Sequence, residues 1–61
     1  MRSTGTQSLL TVEQIAERLS VSTRTVRRWI SDGELVAYRL GRAVRIDEPD
    51  LEAFLARHRE A

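Results

Sequence analysis

Apolar positions along this chain change rhythm twice, from helical to strand-like and back. Ile15, Ala16 and Leu19 share one face at helical spacing, and Thr11-Val12-Glu13-Gln14 stands before them as a capping box. In such a box Thr11 accepts from the backbone N–H of Gln14, whose side chain reaches back, while Leu10 and Ile15 form a hydrophobic staple. A helix from Val12 to about Leu19 is predicted. Ser20-Val21-Ser22 then precede a second helical pattern, with Ser22 as natural N-cap and Val21 and Val26 as a second staple. This helix is expected to stop near Ser31, where Asp32-Gly33 offers a left-handed exit. Two short helices joined so tightly cross at a steep angle, which is the helix-turn-helix arrangement.

Beyond Gly33 the rhythm becomes strand-like. Val36-Ala37-Tyr38-Arg39-Leu40 alternates, Gly41-Arg42 marks a turn, and Ala43-Val44-Arg45-Ile46 resumes an extended pattern. A three-residue loop would put Val36, Tyr38, Leu40, Val44 and Ile46 on one face, with Arg39 opposite Arg45 on the other. A two-residue loop would give Gly41 the first position of a type II′ turn but mix apolar and charged residues on each face. The longer loop is favoured, and either register leaves Arg42 at the tip of a two-stranded ribbon. The last element opens with Asp47-Glu48-Pro49-Asp50, a plausible N-cap and an acidic first turn, with Ile46 and Leu51 as a third staple. Leu51, Phe54 and Leu55 form the expected buried stripe of a helix reaching about His58. His58 extends that stripe by one turn and is expected to cover the edge of the core.

The second helix carries the most chemistry. At about 100° per residue, with Val26 at zero, Ile30 lies near roughly 40° and Trp29 near roughly 300°, so these three form the buried stripe. Arg24 falls near about 160°, Arg28 near about 200°, Ser31 near about 140° and Arg27 near about 100°. The arginines therefore oppose or flank the core, with no acidic partner at i±4 within the helix. Thr23 and Thr25 flank the stripe near the N-terminus, where free N–H groups and the positive dipole end favour phosphate. A helix of this diameter fits the major groove, and arginine pairs bidentately with guanine O6 and N7. The bland alternative is a solvated face. Trp29, on the core stripe, is read as structural rather than as a base-stacking residue.

Composition narrows the choice. A chain of 61 residues, 41% apolar, holds one small domain with a thin core. It is read as a polar, flexible tail over residues 1–8 followed by a single domain over 9–61. There is no cysteine, hence no disulfide framework and no cysteine-type zinc site, and one histidine makes no metal site by itself. Apolar runs are too short for a membrane span or a signal-peptide core. No cofactor, small-molecule ligand, membrane association or enzymatic activity is expected.

Net charge is +1 overall but unevenly spread. Residues 1–17 carry −1, residues 18–46 carry +5 and residues 47–61 carry −3. A basic middle between acidic ends suits a polyanion. All ten cations are arginine, which a GC-rich coding sequence would largely explain. Their positions matter more than their type. An exposed arginine at a β-tip suits a minor groove or a phosphate, and a like-charged Arg39–Arg45 pair across the ribbon would call for an anion nearby. Glu48, Asp50 and Glu52 would repel DNA. They put the last helix on the far side, or make it a surface for a basic partner.

The element order, with Leu9-Leu10-Thr11-Val12-Glu13-Gln14-Ile15-Ala16, Val21-Ser22-Thr23-Arg24-Thr25-Val26-Arg27-Arg28-Trp29-Ile30, Gly33-Glu34-Leu35, Tyr38-Arg39-Leu40-Gly41-Arg42, Arg45-Ile46 and Asp50-Leu51-Glu52-Ala53-Phe54-Leu55, resembles the excisionase-type winged helix-turn-helix domains. These are relatives of the DNA-binding module of MerR-like regulators, and the likeness covers about residues 9–58. It implies a mainly α fold with a β-ribbon wing and a C-terminal helix. The implied function is that of a recombination directionality factor, a phage excisionase bound to attachment-site DNA beside a tyrosine integrase. Such proteins bind neighbouring sites head to tail, bend double-stranded DNA and steer the integrase towards excision without catalysing anything, in the host cytoplasm on nucleoid DNA. By position, the likeness carries DNA contact to Ser22, Thr23, Arg24, Thr25, Arg27 and Arg28 on the second helix. Wing contact falls to Arg39, Arg42 and Arg45.

Two other classes stay open. A stand-alone repressor would use the same contacts on inverted repeats as a dimer. MerR-like regulators continue into a dimerisation helix that is not seen before Ala61, so the accessory DNA-bending role is favoured. A protein–protein adaptor would show a weak salt response and no preference among DNA sequences.

Overall fold

The capping box forms as the sequence predicts. In a computed structural model describing residues 9–60, the Gln14 N–H donates to Thr11 Oγ1 at 3.0 Å and the Thr11 N–H donates to Gln14 Oε1 at 2.9 Å. They start helix α1, Val12–Leu19. Helix α2, Thr23–Ser31, begins behind Ser22, whose Oγ accepts from the Thr25 N–H at 3.1 Å. Between the helices Ser20 adopts a left-handed conformation (φ 57°), and its N–H and that of Val21 close the carbonyls of Glu17 and Ala16. At the far end of α2, Gly33 (φ 80°) turns the chain back so that the Glu34 and Leu35 N–H groups both donate to the Trp29 carbonyl. The expected tail, residues 1–8, lies outside the described residues.

The ribbon departs from expectation in two ways. Strand β1, Leu9–Thr11, pairs antiparallel with β3, Ala43–Asp47, which also pairs with β2, Tyr38–Leu40. The wing is thus part of a three-stranded sheet ordered β1-β3-β2 and not a free two-stranded ribbon. Leu10 opposes Ile46 and both are buried, which ties the wing base to the start of α1. An isolated hairpin would be marginal in water.

The hairpin also uses the two-residue loop, not the three-residue one. Leu40 faces Ala43, Arg39 faces Val44 and Tyr38 faces Arg45. Gly41 has φ 65° while Arg42 does not enter the positive region, the pattern of a type II′ turn. The register places Arg39, Val44 and Ile46 on the inner face and Tyr38, Leu40, Ala43 and Arg45 on the outer one. Val36, Tyr38 and Leu40 are correspondingly 56%, 46% and 54% exposed, against the expectation that they face the core. The inward residues of this stretch are Leu35, fully buried, and Ala37, half-buried. The expected Arg39–Arg45 pair does not exist, so repulsion between them is no argument for an anion.

Asp47 takes the extended conformation of an N-cap to helix α3, Glu48–Arg57, but its side chain makes no capping bond. Its backbone ends β3, paired with Leu9, and the acids Glu48 and Asp50 complement the dipole in the first turn. The core consists of Leu10, Val12, Ile15, Ala16, Val26, Leu35, Ile46, Leu51 and Phe54. Of the stripe expected on α2, Val26 is fully buried while Trp29 and Ile30 pack half-buried against this core. Leu55, expected inside, is 39% exposed. Trp29 stacks on Phe54 with ring centroids 4.7 Å apart. An Arg18–Glu48 ion pair at 3.5 Å joins the end of α1 to the start of α3.

Candidate nucleic-acid interface

Helix α2 rests on Val26, Trp29 and Ile30 and turns Arg24, Arg27 and Arg28 into solvent. Arg24 and Arg28 have no carboxylate within ion-pair distance among the described residues. Arg27 has one, Glu13 of α1, at 3.8 Å, with both side chains about two-thirds exposed (64% and 69%). A pair so exposed and so long contributes about 0–1 kcal/mol, little enough for an incoming anion to displace. At the helix start, Ser22 Oγ and Thr25 Oγ1 lie 3.0 Å apart. These two hydroxyls thus engage each other and the cap. Thr23 is half-buried.

The wing arginines line two adjoining clefts that share Arg27 of α2. A cleft of about 500 Å³ between α2 and the sheet is lined by Val12, Arg27, Ile30, Ser31, Arg39 and Val44. A smaller one beside it has Glu13, Arg27, Arg42 and Arg45 among its walls. Arg27 belongs to both, so it joins the helix cations to the wing cations. Arg39 reaches the first cleft because the two-residue turn puts it on the inner face. Arg42 is exposed at the tip, and Arg45 is half-buried on the outer face with its guanidinium donating to the Val44 carbonyl at 2.9 Å. The structure brings together Arg27, Arg39, Arg42 and Arg45. Arg24 and Arg28 line neither cleft and stand on the open face of α2, while no residue of α3 lines either.

Sequence reasoning did not single out Glu13 and Ser31 as part of this surface. Ser31 fell among the outward angles of α2, but nothing in the sequence aligned it with Arg39 across a cleft. Glu13 enters the sequence pattern only as a middle residue of the capping box and one of the acids of residues 1–17. Among the described residues no group of three histidines or acids could hold a metal ion, and no helix is long and apolar enough to cross a membrane.

The family model for a helix-turn-helix domain matches residues 9–59. An excisionase of Mycobacterium phage D29 is 49% identical over 45 residues, covering 72% of this chain and 80% of that protein. The chain belongs to the excisionase-type helix-turn-helix family. This excisionase-type domain also resembles parts of longer proteins. It is 47% identical over 47 residues to the uncharacterized protein YvgK of Bacillus subtilis, and 42% identical over 52 residues to the transcriptional repressor DcmR of Methylorubrum extorquens. It spans 15% and 20% of those two chains. The fold is that of a small winged helix-turn-helix DNA-binding domain.

Proposed function

We propose that this chain is an excisionase: it binds attachment-site DNA sequence-specifically, bends it cooperatively with neighbouring copies, and directs a tyrosine integrase towards prophage excision. The reading rests above all on the arrangement of unpaired Arg24 and Arg28 on one side of α2, with Arg27 continuing through two clefts to Arg39 and Arg42. In it, α2 enters the major groove and Arg24 and Arg28 reach base edges, where guanidinium groups pair bidentately with guanine. The Ser22 cap and the free N–H groups of the first turn, with Thr23 and Thr25, sit against backbone phosphate. Arg39, Arg42 and Arg45 follow the strand to the adjacent minor groove. The protein catalyses nothing, and strand exchange belongs to the integrase. The match to a phage excisionase over 80% of that protein's length supports this role.

The match to a transcriptional repressor favours a second reading, in which the same surface occupies an operator. Footprinting on attachment-region DNA separates the two. Closely spaced protection of direct repeats is expected for the excisionase. A single protected palindrome, with no effect on excision in a reconstituted integrase reaction, would replace it with the repressor.

A further inference from the structure

Outside the arginine clefts, Glu34, Phe54, Arg57 and His58 converge where α2 hands over to the wing. Glu34 lies in the connector between α2 and β2, one residue past Gly33. The Arg57 guanidinium, from the last turn of α3, donates to the Glu34 backbone carbonyl. His58 Nε2 lies 3.3 Å from the Glu34 carboxylate, and His58 Nδ1 lies 2.9 Å from the Phe54 carbonyl oxygen. The His58 ring also stacks on Phe54 with centroids 4.2 Å apart, and Phe54 in turn meets Trp29 of α2. His58 is thus fixed to α3 through Nδ1 and its contact with the Phe54 ring, and reaches the connector through Nε2.

We infer that Glu34, Arg57 and His58 form a clamp that sets the angle of the wing relative to the recognition helix, making His58 and Arg57 positioning residues for DNA binding. The chain leaves the clamp at Glu34, runs through β2, the Gly41-Arg42 turn, β3 and α3, and returns to it 23 residues later at Arg57. The β3 side of the wing is held by its pairing with β1, and the clamp fastens the two ends of this loop at one place on the β2 side. β2 is only three residues long and lies at the sheet edge, with Val36, Tyr38 and Leu40 all exposed, so the clamp adds to an entry otherwise held by buried Leu35 and the two N–H groups on the Trp29 carbonyl. Closing the loop removes hinge freedom where the wing begins. It holds Arg39 and Arg42 at a fixed reach from Arg24 and Arg28. None of the clamp residues lines the arginine clefts, so their effect on DNA passes through the wing.

This inference rests on the DNA-binding reading, and a double-mutant cycle with an independent arm tests it. Affinity for a duplex carrying the footprinted site is measured for wild type, His58→Ala, Arg42→Ala and Arg24→Ala, and for His58→Ala combined with each arginine variant. His58→Ala is expected to weaken binding about three- to tenfold in the wild-type and Arg24→Ala backgrounds, and less than about twofold with Arg42→Ala, because the clamp acts through the wing tip. Arg57→Ala should follow the same pattern. An equal loss in all backgrounds, or no loss in any, would overturn the clamp. Amide hydrogen exchange without DNA forms the second arm. Faster exchange over residues 38–45 in His58→Ala, with α1 unchanged, supports the clamp, and unchanged exchange over 38–45 overturns it. Should wild type fail to bind DNA, the functional reading falls and exchange alone judges the clamp.

Discussion

Individual arginines on α2 carry different burdens. Arg28 is exposed, without a carboxylate within ion-pair distance among the described residues, and lies about 200° from Val26 around the helix, so nothing in the fold needs its side chain. Arg28→Ala should leave thermal stability unchanged and cost about 1–3 kcal/mol of binding, concentrated at one base position of the site. Affinities across a panel of single-base variants check this, and a uniform loss on every duplex would reassign Arg28 to phosphate. Trp29, beside it, belongs to the fold, because its ring is held against Phe54. That division was legible from spacing alone. The burial of Leu35 was not, since Leu35-Val36-Ala37-Tyr38 is a continuous apolar run and either parity satisfies it. The choice is made by Gly33 and the two N–H groups that close on the Trp29 carbonyl, a tertiary constraint that pulls Leu35 inward and sends Tyr38 out.

At the scale of elements, the caps were the most readable feature. Each helix starts where a short polar residue sits between the two members of a staple, and Thr11 and Ser22 make the bonds expected of them. The turn between α1 and α2 holds a less visible cost. Ser20 sits at φ 57°, a region that disfavours side chains with a Cβ by about 1–2 kcal/mol. Ser20→Gly relieves that strain and gives back part of the gain as unfolded-chain entropy. The substitution should raise stability by about 0.5–1 kcal/mol, read by chemical denaturation, with DNA affinity unchanged. A loss of stability would mean that the Ser20 side chain contributes more than its backbone conformation costs. The sheet was harder to read than the helices. β1 is three residues long with no alternation to betray it, and the wing register depended on a turn type that the polar pattern alone did not select.

Over the whole molecule, charge is arranged by face as well as by segment. The +5 central segment supplies the arginines of α2 and the wing, and the acidic last segment supplies α3, which lines neither arginine cleft. Glu48 is engaged with Arg18, which accounts for one of the acids the sequence offered as a partner surface. Such an arrangement predicts steep salt dependence, because each arginine on a phosphate releases counterions. Arg42→Ala should lower affinity on specific and scrambled duplexes alike and reduce the slope of log K against log salt by about 1, with no change in melting temperature. An unchanged slope would remove the wing tip from the phosphate contacts. The domain's function class was legible because helix-turn-helix geometry is built from local signals. The meeting of Arg27 with Arg39 and Arg42 was not, because it depends on how the sheet docks on α1.

The central claim is that one continuous surface, α2 together with the wing, receives double-stranded DNA. Amide chemical-shift mapping during titration with a duplex carrying the footprinted site tests it most directly. Shifts are predicted over residues 22–31 and 39–45, with residues 48–57 of α3 left largely in place. Perturbation concentrated on α3, with Arg24, Arg28 and Arg42 unmoved, would contradict the account.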